Sequence, residues 1–217
     1  MRDIEVIVEP TQSATDIVSV SDMRRHLRIS TATISTQLDD DIQDKIKEAL
    51  GHLDGRDGVL NRTVLPRTWK MYLPKFPAGY YVGSRLVRKI SLPYPPLQSV
   101  TSIEYLSESG ESPLSVLAST NYIVRKNSFS SEIEFLPDTT LPVLASHPRA
   151  VEITFTAGYT TYPETLKRLM KILAAHYLAN KEATINEPRV LLVNRATLHA
   201  YEDCIDQLRV PVTYENV

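Results

Sequence analysis

The spacing of apolar residues changes twice along the chain, and this change restricts the fold more than any other feature. In the segment that begins at Thr36, apolar side chains recur at helical spacing and form one face, made by Ile42, Ile46, Ala49, Leu50 and Leu53. Between residues 63 and 157 apolar and polar residues alternate instead, as in Trp69–Leu73 and Val151–Ala157. Alternation is typical of antiparallel strands with one face in water. Helical spacing returns after Gly158.

This order of helix, strands and helix predicts an α+β fold: a helical bundle with an antiparallel β-sheet region inserted between the second and third main helices. We expect one structural unit overall. Its parts are an N-terminal arm at 1–18, a helical bundle at 19–62 and 158–209, the inserted β region at 63–157 and a C-terminal tail at 210–217. Alternation or helical spacing also predicts four core residues that link the sheet to the helices: Trp69, Ile103, Phe155 and Leu173.

Several residues indicate where the helices begin and end. Ser21 is a candidate N-cap for a short helix that reaches Leu27, and Pro163 suits the first turn of the helix after Gly158. A last helix is predicted at 193–208, and Pro211 ends it.

Three prolines, Pro93, Pro95 and Pro96, stand directly before one of the predicted strands, Val100–Leu106. Proline fixes φ and has no backbone donor, so these residues are excluded from a central sheet ladder. The strand itself is rich in β-branched and aromatic residues. We therefore expect the chain to enter a sheet from its edge at a fixed angle.

Composition and charge exclude several classes of protein. The formal net charge is −2, which disfavours a dedicated duplex-DNA binder because such proteins neutralise phosphates with excess Lys and Arg. The single cysteine, Cys204, excludes an internal disulfide and a multi-cysteine zinc site, and its apolar helical context favours a core role. No apolar run is long enough to span a bilayer and no leader follows Met1, so we expect a cytoplasmic location in the producing cell.

The chain carries no recognisable catalytic motif: the phosphate-binding, dinucleotide, zinc-protease and nucleophile-elbow patterns are all missing, and the five histidines are scattered. The best metal candidate is the acidic group Asp39, Asp40, Asp41 and Asp44. It lacks the spacing of a calcium loop, and complementing a helix dipole explains it. Another candidate cluster, Arg24, Arg25 and Arg28, indicates a solvated helix face or a contact with an acidic partner. We predict a non-enzymatic protein with no catalytic, cofactor-binding or metal-binding residues.

Two segments are candidates for binding a protein partner. Tyr80 and Tyr81 are adjacent in a loop flanked by glycines, which suits either a protein contact or an ordinary hairpin tip. At the C-terminus, Val210, Val212 and Tyr214 alternate with other residues after the last helix. Such a segment either adds a strand to a partner's sheet or is a frayed terminus.

Taken in order, these segments resemble the head–tail connector, or adaptor, proteins of tailed bacteriophages and gene transfer agents. The resemblance begins at "SVSDMRRHLRI", passes through the helix with an acidic start and "RTVLPRTWKMYLPKFP", and is sharpest at "ISLPYPPLQSVTSIEYLSESG". It resumes at "VEITFTAGYTTYPETLKRLMKILAAHYLANKEA" and spans roughly Ser19 to Leu208.

The resemblance implies a structural protein at the head–tail junction of a virion, assembled in the host cytoplasm. Such adaptors form a ring of about twelve subunits beneath the portal protein and above the tail-completion or tail-terminator protein. DNA passes through the lumen without specific binding. Three alternatives remain open: a DNA-packaging or DNA-binding factor, a small-molecule enzyme of another type, and another head-completion or tail-terminator protein.

Overall fold

The computed structural model describes residues 3–30, 35–108, 114–179 and 199–211. The chain divides into two compact units. The sheet unit combines Met1–Pro10 with Leu65–Thr160, and the helical unit combines Thr11–Val64 with Thr161–Val217. The described strands all lie in the sheet unit and the α-helices in the helical unit.

Two antiparallel sheets build the sheet unit. The first has the strand order β1-β2-β9-β5-β6, formed by Asp3–Val8, Arg67–Leu73, Val151–Ala157, Leu97–Tyr105 and Ser115–Val116. The second has the order β3-β4-β8-β7, formed by Tyr80–Val82, Arg85–Leu92, Ser131–Phe135 and Tyr122–Lys126. A single 3₁₀ turn at Ser119–Asn121 precedes β7 in the described residues.

One hydrophobic core lies between the two sheets. On β9 the residues Val151, Ile153, Phe155 and Ala157 are buried and alternate with less buried polar residues. Phe155 lies opposite Trp69 of β2, and Phe76 meets Phe135 of the second sheet edge-to-face at 5.7 Å between ring centroids. Trp69, Ile103 and Phe155 are all buried, so their predicted burial is confirmed. The core cluster that contains them consists of residues of the sheet unit.

The proline segment lies between β4 and β5, outside both strands, as predicted. Its Pro95–Pro96 peptide bond is cis, and Tyr94 packs on Trp69 with 5.0 Å between ring centroids. The backbone N–H of Gly158, just after β9, donates to the carbonyl oxygen of Pro96 across 2.9 Å. In the strand order β5 lies between β9 and β6, but β6 pairs with only two residues of β5, Glu104 and Tyr105. The first half of β5 therefore has β9 as its one ladder partner among the described strands.

The helical unit contains α1 (Ala14–Ile17), α2 (Val20–His26), α3 (Thr36–Leu53), α4 (Glu164–Ala179) and α5, described at 199–208. The buried side chains of α3 are the five predicted ones, and the predicted core residue Leu173 is buried on α4. Ser21 is not an N-cap: it lies inside α2, and Ser19 caps that helix by accepting a hydrogen bond from the Asp22 backbone N–H. No helix in the described ranges has the length and apolar character needed to cross a membrane.

The predicted helical bundle with an inserted sheet is wrong. The chain has an α+β fold with two antiparallel sheets, which together contain nine described strands and enclose a core of their own. The strand β1, from the segment before α1, is hydrogen-bonded to β2 and completes the first sheet. Alternation in the sequence identifies which residues face a core, but it does not show how many sheets share that core.

Candidate partner-binding surfaces

An exposed hairpin at the edge of the second sheet carries both tyrosines singled out in the sequence. In β3 the side chains of Tyr80, Tyr81 and Val82 are 55%, 72% and 59% exposed, respectively. Gly79 and Gly83 flank this strand at φ values of +85° and +63°, a backbone region that glycine enters without strain. We call Tyr80, Tyr81 and Val82 the tyrosine edge. Three consecutive large apolar residues in water are a feature of protein-contact surfaces.

Behind the tyrosine edge, charged side chains cross-link the second sheet. Glu134 of β8 is buried and pairs with two arginines: Arg85 Nη2 lies 2.9 Å from one carboxylate oxygen, and Arg125 Nε donates to the other. Next to it, Lys89 Nζ donates to Glu132 Oε2 across 2.9 Å. These bonds hold β4, β7 and β8 together, so the hairpin extends from a sheet whose strands are joined by ion pairs as well as by backbone hydrogen bonds.

The same bonds keep the network charged at neutral pH. The hydrogen bond from Arg125 lowers the pKa of Glu134 against the opposing effect of burial, and the charges of Arg125, Arg85 and Lys89 lower it further. The hydrogen bond to Glu132 raises the pKa of Lys89. Both shifts favour the ionised forms.

The first sheet has an acidic face, which the sequence reasoning missed. Lys70 Nζ of β2 lies 2.9 Å from Glu152 Oε2 of β9, and the charges of Glu104 and Glu5 also act on that ammonium group. We call Glu5, Glu104 and Glu152 the acidic face. In the sequence, each of these glutamates occupies a polar position in an alternating segment. Only the pairing of the strands brings the three side chains together, so the sequence alone does not indicate the cluster.

Strand β1, which supplies Glu5, is attached to the sheet through polar side chains as well as through its ladder. The Tyr72 hydroxyl donates to Glu5 Oε1, and burial together with this bond raises the pKa of Tyr72 to about 12. Asp3 Oδ2 lies 2.7 Å from Arg149 Nη2, and the Arg149 guanidinium stacks 4.3 Å from the centre of the Tyr72 ring. At its other end, β1 exposes Ile7 and Val8.

The C-terminal candidates lie partly outside the described residues. Val210 belongs to the helical unit, where its N–H donates to the Leu60 carbonyl oxygen across 2.9 Å. Its own carbonyl oxygen accepts from Asn61 Nδ2 at 3.2 Å. Val212 and Tyr214 are outside the described residues.

Several of the remaining sequence candidates have local structural partners. Asp39 accepts a hydrogen bond from Arg24 Nε at 2.6 Å, and Asp44 Oδ1 lies 3.1 Å from Lys47 Nζ. His52 Nε2 lies 3.2 Å from the Tyr201 hydroxyl, and Cys204 is buried. Across the described ranges, no group of three or more His, Cys, Asp or Glu residues is placed to hold a metal ion.

No protein-family model matches the chain, and no curated protein matches it in sequence. Among solved structures, it is similar to a chain in the virion of a native gene transfer agent particle, with 18% identity, 98% of each chain covered and a TM-score of 0.66. It is also similar to a chain in the neck of an empty gene transfer agent particle, computed with C6 symmetry, with 18% identity and a TM-score of 0.65; the match covers 97% of this chain and 98% of that one.

A third similar structure is the neck of the native particle computed with C12 symmetry. The match has 17% identity and a TM-score of 0.57, and it covers 97% of this chain and 98% of that one. At this level of identity the likeness shows a common fold, and a fold by itself does not determine a function.

Proposed function

We propose that this protein is a structural component of the neck of a phage-like particle, where it acts as a head–tail adaptor. Copies of the chain form a ring of about twelve subunits beneath the portal protein and above the tail-completion or tail-terminator protein, and the genome passes through the lumen. The observation that carries the proposal is the likeness over 98% of both chains to a gene transfer agent virion protein. Neck particles with similar chains were computed with C6 and C12 symmetry, which supports a ring.

The surfaces of the sheet unit support a role in assembly. A tyrosine edge and an acidic face lie in the same unit, and each offers groups suited to protein contacts. A net charge of −2 suits a channel through which DNA moves without being held. The particle is the final location of the protein, and it reaches that location from the host cytoplasm during assembly.

The two candidate contact regions have separate roles in this proposal. The C-terminal residues after Pro211, including Val212 and Tyr214, dock on the portal by adding a strand to its sheet edge. The bonds of Val210 to Leu60 and Asn61 support this role, because they fix the position of the chain directly before this segment. Tyr80 and Tyr81 remain available for a different protein contact.

The test is recruitment to heads. Purified protein is mixed with portal-containing heads that lack it, and the heads are imaged by electron microscopy. We expect an additional ring below the portal, with symmetry read directly from the averaged images. Heads that gain no density at the portal vertex contradict the adaptor role.

If the protein is instead a DNA-packaging or DNA-binding factor, it should bind duplex DNA in solution. A duplex-binding protein loses affinity steeply as salt rises, because bound counterions are released. We expect no retardation of duplex DNA in a gel at physiological salt. A specific complex whose affinity falls steeply with salt favours the alternative. Binding to a tail tube in place of the portal vertex favours a tail terminator.

A further inference from the structure

The two sheets of the sheet unit carry opposite net charge. The strands of the first sheet contain four acidic and two basic residues: Asp3, Glu5, Glu104 and Glu152 against Arg67 and Lys70. The strands of the second contain five basic and two acidic residues: Arg85, Arg88, Lys89, Arg125 and Lys126 against Glu132 and Glu134. The first sheet is therefore net negative and the second net positive.

The polar faces of these sheets point away from each other. Both sheets contribute to one core cluster, which includes Ile153 and Phe155 from the first and Ile133 and Phe135 from the second. Successive side chains of a strand point to opposite faces. The residues that alternate with these core positions, such as Glu152 and Glu132, therefore lie on the outward sides of the two sheets. Three basic residues do not: the ladders pair Arg67, Arg88 and Lys126 with the buried residues Ala157, Phe135 and Ser131, so they lie on the core side.

Exposed apolar residues accompany each charged surface. The tyrosine edge lies on the outermost strand of the positive sheet. On the negative sheet, Val8 of β1 and Val116 of β6 are 53% and 66% exposed, at the two edges of the acidic face. Val116 lies directly opposite Glu104 in the β5–β6 ladder. On the outward sides alone, the first sheet has four acidic residues against Lys70 and the neighbouring Arg149, and the second has Arg85, Lys89 and Arg125 against Glu132 and Glu134. Both surfaces thus combine apolar contact area with a net charge of opposite sign.

We propose that the tyrosine edge of one copy of this chain docks on the acidic face of the next copy, beside Val116. This inference deepens the proposed function, on which its ring context rests. Two copies that meet through the same surface bring like charges together, which is unfavourable, whereas unlike surfaces attract. A contact between two different surfaces leaves one of each free on every dimer, so it propagates and closes into a ring when the rotation between subunits permits.

Cysteine cross-linking tests this contact, because the one native cysteine, Cys204, is buried. Tyr81→Cys and Val116→Cys are made separately and together, and each is treated with a short bis-maleimide at rising protein concentration. We expect a ladder of oligomers from the double variant and dimers only from the mixture of single variants. Each single variant alone stays monomeric.

A charge variant shows whether the acidic face is responsible. Glu104→Lys in the Val116→Cys chain reduces the yield of mixed dimer by about tenfold, because it places a positive charge opposite a positive surface. Glu202→Lys, on the exposed side of α5 in the helical unit, leaves the yield unchanged. Thermal unfolding by circular dichroism confirms that each variant is folded.

Three outcomes overturn the proposal: efficient cross-linking of Tyr81→Cys to itself, no mixed dimer at any concentration, or equal yields with Glu104→Lys and Glu202→Lys. Recruitment to heads separates the two levels of inference. If native protein joins heads but the cross-linking pattern is not the expected one, the adaptor role stands and only the assignment of these surfaces is contradicted. Native protein that does not join heads contradicts the proposed function, whatever the cross-linking pattern.

Discussion

The backbone N–H of Val210 donates to the carbonyl oxygen of Leu60 across 2.9 Å, which ties the chain after α5 to the turn after α3. Asn61, in the left-handed region at a φ of +52°, adds a second bond through its side chain to the Val210 carbonyl oxygen. Val210 is therefore part of the bonded helical unit. A truncation that tests docking without disturbing the fold must begin after Pro211.

Deletion of residues 212–217 should leave the melting temperature nearly unchanged and abolish recruitment to portal-containing heads. Deletion of 210–217 also removes both bonds of Val210 and should lower the free energy of unfolding by about 1–3 kcal/mol. Thermal unfolding and a head-binding assay measure the two effects. Wild-type recruitment by the shorter truncation would show that docking lies elsewhere, on the helices or the tyrosine edge.

Stability should depend on the ionisation of Glu134. Its pKa is lower in the folded protein than its ordinary value of 4.5, chiefly because of the hydrogen bond from Arg125. The ion pair therefore stabilises the fold fully above pH 4.5, and this contribution is lost as the pH falls through the lowered pKa. Glu134→Gln should show a smaller loss of stability on acidification in urea titrations at several pH values. Arg125→Gln should change the acid limb in the same direction, and identical acid limbs in all three proteins would contradict this assignment.

Two glycines should respond in opposite ways to alanine. Gly51 lies in α3, where an added Cβ would point into open space with no contact within 4 Å, so Gly51→Ala should stabilise the protein by roughly 0.5–1 kcal/mol. Gly158 has a φ of +129°, and a Cβ there would lie 2.5 Å from Pro66 Cα, so Gly158→Ala should destabilise it. Urea unfolding of the pair measures both signs. If Gly158→Ala is neutral or stabilising, the backbone at Gly158 and Pro66 can move apart without a loss of stability, and the close contact there is not required.

Truncating one side chain of the central strand β9 should show how much the core between the two sheets contributes to stability. Phe155 is fully buried on β9, and Phe155→Ala should cost about 3–5 kcal/mol in the free energy of unfolding. Val116→Ala, in the same sheet but 66% exposed, should change it by less than about 0.5 kcal/mol. Comparable losses from both variants, measured by chemical denaturation, would contradict the placement of this core.

The isolated protein should be monomeric or weakly associated, with the ring completed only on the portal. The charges that we assign to the self-contact are few and lie on the surface, where ion pairs are individually weak. Light scattering after size-exclusion chromatography measures the mass directly. A stable large ring at micromolar concentration without any partner would contradict assembly on the portal.

Helical faces could be predicted from the sequence residue by residue, because α3 buries the five side chains that its spacing indicates. The sequence interpretation assigns the cap of α2 to Ser21, whereas Ser19 caps this helix; Ser19 with Asp22 three residues later is a recognised capping pattern. The short strands β3 and β6 were not predicted, since two or three residues are too few for alternation to be visible. The acidic face also escaped prediction, because its glutamates come from β1, β5 and β9.

The strand order of the first sheet also governs when that sheet can form during synthesis. β1 emerges from the ribosome before the helices of residues 11–64, yet its partner β2 follows them: Asp3 pairs with Tyr72. β2 in turn needs β9, whose Val151 pairs with Leu73. Pairings between such distant residues close large loops and slow folding. The nascent chain therefore carries an unpaired β1 until β2 has been made, and the acidic face, which needs Glu152 of β9, is complete only after the tyrosine edge and the rest of the second sheet have been made.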